Sequence, residues 1–201
     1  MNVYMMMPEV IKENSTGYIR SSITNELFQK REIQCMGDIT VELVYSLNLQ
    51  LRYLQELDGE KEIVMHINSP GGEVASGLAL YDTMQAISCP IRTVCEGTAA
   101  SMAALLFISG DRREILPHAR VMIHDPLIRG RMGGNALQIE RLSKDLMKMR
   151  EVTAGIIAEH TGKTLEEVYE KTAIDSYFDA EECIEWGLAD AIWKGEVRDD
   201  R

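Results

Sequence analysis

The sequence predicts a single α/β domain in which short strands alternate with helices. The first observation is composition: 45% of the 201 residues are hydrophobic, enough to fill a sizeable core. The second is order, because apolar strand-like segments alternate with helical ones from about residue 31 onward, and strands separated by helices imply parallel pairing. The third is continuity, since no linker-like break and no repeat divides the chain.

The first part of the chain contributes an arm and one strand–helix unit. Residues 1–25 are mixed and polar, which predicts a flexible N-terminal arm or loop ahead of the domain at 26–201. A strand is predicted at 31–36. Thr40 can then cap a helix whose apolar positions recur roughly every 3.6 residues until Gly59.

The middle of the chain repeats this plan twice. An apolar strand at 62–67 leads through the turn Asn-Ser-Pro-Gly-Gly, residues 68–72, into a helix over 73–87. A further strand is predicted at 91–95, followed by a helix of small and apolar residues at 99–108. The alternation continues into the last part of the chain.

That last part contains a strand at 120–123 and a long helix from about 135 to 160. Capping boxes that begin at Thr164 and Asp179 mark two later helix starts. The last of these helices ends at Gly187, a favourable residue for the end of a helix.

Composition excludes several classes of function. The net charge of -11 argues against binding to nucleic acid, whose phosphates require a basic surface. No apolar run approaches the roughly 20 residues of a membrane span, and the first residues make a poor signal peptide. The cysteines lack the close pairing of a zinc site, so we expect no metal and predict buried free thiols in a reducing cytoplasm. They are Cys35, Cys89, Cys95 and Cys183.

The segment Gly-Thr-Ala-Ala-Ser-Met-Ala-Ala, residues 97–104, is the most informative for function. A serine nucleophile needs an exposed hydroxyl and nearby N–H donors for the developing oxyanion. Ser101 is predicted in the first turn of a helix, where the backbone N–H groups are unpaired. Taken alone, the segment fits a tightly packed helix face equally well.

The glycines of residues 68–72 permit positive φ and a close approach of another backbone, so this turn can donate an oxyanion N–H or hold an extended peptide. An ordinary strand–helix turn is the alternative, and the spacing is not that of a phosphate loop. Among the histidines, His124 ends an apolar strand, the place where active sites of α/β folds gather. The others lie in a strand, in a turn and near a helix end; they are His66, His118 and His160.

A strand-end histidine is by itself more often structural, and its coincidence with Ser101 makes His124 the candidate base. The carboxylate that would orient it remains open at this point. The candidates are Asp111, Asp125, Asp175 and Asp179, the last of which is expected to serve as a helix cap.

Together these segments resemble the ClpP family, the proteolytic subunit of Clp protease. The matching blocks are residues 67–72, 81–85, 99–102, 116–117, 120–124, 126–127, 158–162 and 187–188. The resemblance implies a ββα superhelix related to crotonases, formed by one domain. It also implies that the long helix from about 135 packs as a handle between two rings.

The resemblance assigns roles to individual residues. It implies Ser101 as nucleophile, His124 as general base and Asp175 as the carboxylate that orients it, because residues 172–180 are similar to the family segment that holds the triad aspartate. Gly72 and Met102 would supply the N–H groups of the oxyanion hole. No cofactor is implied, and the subunit itself binds no nucleotide.

The resemblance also implies partners. Family members form two stacked heptameric rings, a tetradecamer, and cleave unfolded polypeptides delivered by an AAA+ unfoldase such as ClpX, ClpA or ClpC. No nucleic acid or membrane is implied. Three other functions remain open: a non-catalytic ring subunit that modulates a paralogue, a crotonase-type acyl-CoA enzyme, and a capsid-maturation or membrane-protein-directed relative within the same superfamily.

The chain departs from the family pattern at several positions. Asp125 stands where glutamine is usual, and we assign it only to the loop that lines the substrate. Aromatic residues of the family's unfoldase-docking pocket are replaced by His66 and Glu114. Because no arginine flanks Asp175, we predict that Arg129 and Arg131 support ring pairing instead, with solvated surface charge as the alternative.

Overall fold

The structure is a computed structural model and describes residues 8–15, 17–128 and 133–195. Within these residues the chain forms nine β-strands and seven α-helices. In chain order they are β1 (Glu9–Asn14), β2 (Gly17–Ser22), α1 (Ile23–Gln29), β3 (Glu32–Met36), α2 (Val41–Leu57), β4 (Ile63–Ser69), α3 (Val74–Ala86), β5 (Ile91–Ala100), α4 (Met102–Ile108), β6 (Arg112–Ile115), β7 (Arg120–Ile123), α5 (Ala136–Thr161), α6 (Leu165–Thr172), β8 (Ser176–Phe178), α7 (Ala180–Trp186) and β9 (Ala191–Ile192).

The main sheet is mostly parallel, as predicted. Its central path runs in the order β3-β4-β5-β6-β9, and each neighbouring pair is parallel. The long strand β5 changes partner along its length, pairing with β6 through Arg92–Cys95 and with β7 through Thr98–Ala100. The short strand β8 then pairs antiparallel with β7. This change of partner brings the end of β7 to the end of β5.

The core lies against this sheet, and α4 is its most deeply buried helix. Every residue of α4 is buried, which is possible because the helix is entirely apolar. The apolar face of α2 also faces the core, through Val44, Leu47, Leu51 and Leu54. Since α4 begins directly after β5, the junction between them lies at the edge of the core.

Most of the predicted elements are confirmed, with boundaries that shift by one or two residues. The long helix α5 begins after a capping box at Asn135 and ends at Gly162 in the left-handed conformation. The capping boxes at Thr164 and Asp179 and the helix end at Gly187 are as predicted.

One boundary was wrong, and it lies at the most informative segment. We predicted a strand at 91–95 and a helix from residue 99, whereas β5 continues to Ala100 and α4 begins at Met102. The small residues at 97–100 form strand because β4 and β7 both offer backbone partners there. Tertiary pairing therefore outweighs the helix propensity of two alanines.

The start of the chain also differs from the prediction. Instead of a loop, β1 and β2 form an antiparallel hairpin that runs from the Glu9–Ser22 pair to the Asn14–Gly17 pair. Most of its residues are exposed and none is buried, and neither strand carries the alternation of apolar residues that would have identified it. The division between an arm at 1–25 and a domain at 26–201 stays a prediction.

All four cysteines are free and buried, as predicted. Burial raises the pKa of the Cys35, Cys95 and Cys183 thiols to about 12, which makes them unreactive at neutral pH. Within the described ranges, no helix is long and apolar enough to cross a membrane.

Candidate active site

Ser101 occupies the junction between β5 and α4 in an unusual backbone conformation. Its φ is 56° and its ψ is -123°, whereas residues other than glycine rarely have positive φ. The conformation is held from both sides, because the Ser101 N–H donates to the Met122 carbonyl at 2.8 Å and the Ser101 carbonyl accepts from the Ala104 N–H at 3.0 Å. The chain turns sharply here, and such strained turns are typical of functional sites.

His124 is brought to Ser101 by the pairing of β5 with β7. The register places Ala100 opposite Met122, so the residues that follow the two strands are neighbours. The distance between His124 Nε2 and Ser101 Oγ is 2.7 Å, within hydrogen-bond range. The His124 side chain is only 9% exposed, so the protein fixes the position of its ring.

Asp175 lies on the other side of the same ring. Because β7 and β8 are antiparallel with Ile123 opposite Ser176, His124 and Asp175 face each other at the end of this ladder. The distance from His124 Nδ1 to Asp175 Oδ1 is 3.7 Å, which is suitable for an ion pair and too long for a hydrogen bond. The Asp175 side chain is 62% exposed.

The glycine turn at residues 68–72 packs directly against Ser101. A Cβ added at Gly71 would lie 2.6 Å from the Ala100 carbonyl oxygen and 2.7 Å from Ser101 Cβ, so only glycine permits this approach. Ile39 pins the turn, since its N–H donates to the Gly71 carbonyl at 2.9 Å. In the part of the chain that is described, the N–H groups of Gly72 and Met102 have no protein acceptor.

A cavity of about 440 Å³ opens beside Ser101 and His124. Its lining includes the α5 residues Leu142, Leu146 and Met149, together with Gly72 and Val74. Most of its lining is apolar. The cavity thus places the Ser101 hydroxyl, the His124 ring and the backbone of Gly72 next to an apolar surface.

Comparison with known protein families matches residues 15–196 to the family described as Clp protease. The chain belongs to the Clp protease family. Members of this family are serine peptidases, hydrolases that act on peptide bonds, and they work as oligomeric proteases together with unfoldases. The resemblance inferred from the sequence and the α/β fold that it implied are both confirmed.

Within this Clp protease, the four candidate carboxylates have different surroundings. Asp111 accepts a hydrogen bond from the Ile91 N–H at 2.7 Å, and Asp179 caps α7 as predicted. Both Asp125 oxygens are hydrogen-bonded, to Arg150 and to Thr172. Of the four, only Asp175 lies within 4 Å of a ring nitrogen of His124.

The assignment of Asp125 only to the substrate-lining loop was therefore wrong. Its carboxylate is tied to α5 and α6, through Arg150 and Thr172 respectively. Nothing in the sequence spacing relates residues 125, 150 and 172, because the fold alone brings them together. A charged residue directly after the candidate base was the one available signal that a partner was needed.

Two of the remaining histidines, His160 and His66, have contacts away from this site. His160 lies 3.3 Å from the Tyr81 hydroxyl, and burial lowers its pKa, which fits the packing role expected near a helix end. His66 Nδ1 is 2.8 Å from a Glu96 oxygen on the neighbouring strand. Arg129 and Arg131 of this Clp protease lie outside the described residues, so their role in ring pairing stays a prediction.

Proposed function

We propose that this chain is the active endopeptidase subunit of a self-compartmentalised protease that cleaves unfolded polypeptides. In this proposal Ser101 is the nucleophile, His124 the general base and Asp175 the orienting carboxylate. The observation that supports it most directly is the 2.7 Å contact between Ser101 Oγ and His124 Nε2 at the mouth of an apolar cavity.

The proposed reaction follows from this arrangement. Ser101 Oγ attacks the carbonyl carbon of the substrate while its proton passes to His124 Nε2. The N–H groups of Gly72 and Met102 donate to the oxyanion as it forms. His124 then protonates the leaving amine, and a water molecule activated by the same ring hydrolyses the acyl-enzyme. Asp175 closes from 3.7 Å to hydrogen-bond distance as the imidazolium develops, because catalytic contacts tighten in the reacting complex.

A covalent probe tests this assignment. We expect a fluorophosphonate to modify the chain once and the modified residue to be Ser101, since such probes require an activated serine. A crotonase-type acyl-CoA enzyme or a non-catalytic ring subunit would not react at this position. Mass spectrometry of the labelled peptide identifies the modified side chain, and a modification anywhere else would contradict the proposal.

Assembly into two stacked heptameric rings is part of the proposal, and α2 supports it. Five large apolar residues spaced four apart form a stripe along this helix and are between 49% and 66% exposed. They are Val41, Tyr45, Leu49, Tyr53 and Leu57. A contiguous apolar stripe of this kind indicates a protein interface. The helix α5 also carries exposed apolar residues, including Leu137 and Met147, which suit its proposed role between the rings.

Charge on this stripe should prevent assembly. We expect Leu49→Lys to reduce the particle to smaller species, because an unpaired ammonium would have to be buried in the interface. The matched control is Leu165→Lys on α6, which changes a leucine that is 48% exposed where Leu49 is 49% exposed. Size-exclusion chromatography with mass measurement compares the two, and equal masses for both variants would remove α2 from the proposed interface.

The cognate partner in this proposal is a cytoplasmic AAA+ unfoldase such as ClpX, ClpA or ClpC. The four buried free thiols support a reducing compartment. The division of labour predicts that short peptides are cleaved without ATP, whereas a folded protein is degraded only when both the unfoldase and ATP are present. Assays with each candidate unfoldase in turn would identify the partner.

A further inference from the structure

Directly after His124, the Asp125 carboxylate joins three elements of the fold. Thr172 Oγ1, at the end of α6, donates to Asp125 Oδ1 at 2.6 Å, and Arg150 Nε, on α5, donates to Asp125 Oδ2 at 2.6 Å. The Asp125 N–H also donates to the Thr172 carbonyl at 2.7 Å. The residue next to the proposed base is therefore fixed to both helices through its backbone and its side chain.

These contacts control one end of a very short loop. Only residues 173–175 separate Thr172 from the first residue of β8, Ser176. The other end of the loop is held by the Ile123–Ser176 pair and by Ser176 Oγ, which donates to the Lys171 carbonyl at 2.7 Å. The contacts at the two ends of this loop therefore set the position of Asp175, its last residue.

Asp175 needs such anchors because little else holds its side chain. It is largely exposed, and within the described residues its one recorded contact is the 3.7 Å approach to His124 Nδ1. The separation of the two groups is consequently set by where β7 ends and where the loop begins. Asp125 ties these two points together.

Arg150 extends the same connection to the substrate cavity. Its guanidinium carbon lies 4.0 Å from the centre of the Tyr169 ring on α6, and its neighbour Met149 lines the cavity. The cation–π contact and the ion pair hold the guanidinium between Tyr169 and Asp125. The wall of the cavity and the loop that carries Asp175 are thereby fixed to a single carboxylate.

We infer that Asp125 is a positioning residue, which with Arg150 and Thr172 sets the distance between His124 and Asp175. The inference rests on the proposed function, because it concerns the geometry of the proposed triad. Asp125 does not itself contact the reacting atoms. Its contribution is to the placement of the orienting carboxylate, and small misplacements of catalytic groups are costly.

The test measures kcat on a short fluorogenic peptide, expressed per serine that reacts with fluorophosphonate. For Asp125→Ala we expect kcat per reactive site to fall by about 10- to 100-fold with KM nearly unchanged. The double variant Asp125→Ala with Arg150→Met should lose little more, because both substitutions break one network. Thr172→Val, which keeps the ion pair, should show a smaller fall of the same kind and remains informative if Asp125→Ala folds poorly.

The matched control is another ion pair on the same helix. Lys144 Nζ lies 2.7 Å from a Glu140 oxygen, away from the cavity, and Lys144→Met should keep wild-type kcat. If Asp125→Ala and Thr172→Val lowered only the melting temperature or the number of reactive sites, Asp125 would be structural and the inference wrong. A raised KM with unchanged kcat would instead place Asp125 in substrate binding and also overturn it. Failure of the proposed function is a separate result, recognised by a wild-type enzyme that does not react at Ser101.

Discussion

Ser101→Ala is expected to abolish peptide hydrolysis while leaving the particle assembled. Loss of the nucleophile from a triad typically lowers kcat by a factor on the order of 10⁶. The methyl group of alanine fits wherever the serine side chain fits, and the neighbouring Ser101 N–H and carbonyl bonds involve only the backbone. The loss should therefore come from chemistry and not from packing.

The measurement is turnover of a fluorogenic peptide by purified protein, together with the mass of the particle. Because contaminating peptidases limit such assays, wild type and variant should be purified in parallel from a host that lacks its own Clp protease. A variant that retained a tenth of the wild-type turnover would show that Ser101 is not the nucleophile.

Asp175→Asn should produce the second-largest loss, roughly 10⁴ in kcat. The amide would offer an N–H group to His124 Nδ1 and so favour the tautomer that carries its proton on Nε2, where the base must be free. Asp125→Asn is expected to cost far less, since its carboxylate bonds Arg150 and Thr172 and not the ring.

Steady-state kinetics of the two asparagine variants at neutral pH separates these positions. If Asp125→Asn were the more damaging of the two, Asp125 and not Asp175 would be assigned as the orienting carboxylate. Equal losses would indicate that both carboxylates act through one shared geometry. In that case the double variant would lose less activity than the two single losses combined predict.

Much of the fold could be predicted from the sequence because local signals coincided with the final elements. The capping boxes at Thr164 and Asp179 and the buried apolar face of α2 define helices without help from the rest of the chain. The exposed hairpin of β1 and β2 could not be found in this way, since its residues carry no apolar alternation. Nor could the length of β5, which depends on partners distant in sequence.

The candidate site, like the fold, could be predicted from the sequence only in part. Ser101 and His124 were found from their places at the ends of predicted elements, and the structure brings them to 2.7 Å. The choice among four aspartates required either the family resemblance or the register of β7 with β8, because no local rule relates residues 124 and 175. Arg150 was missed altogether, since on a long exposed helix it resembles any other surface charge.

The positive φ of Ser101 implies a conflict between stability and activity: the strained backbone lowers the stability of the protein, whereas the proposed reaction needs a serine at this position. At 56° and -123° the residue occupies a region that glycine enters freely and that a side chain makes costly. Ser101→Gly should therefore be inactive yet melt at a higher temperature than Ser101→Ala, which keeps the strain without the hydroxyl. Stability alone would favour glycine directly after β5, so under the proposed function the serine is retained there because its hydroxyl is the nucleophile.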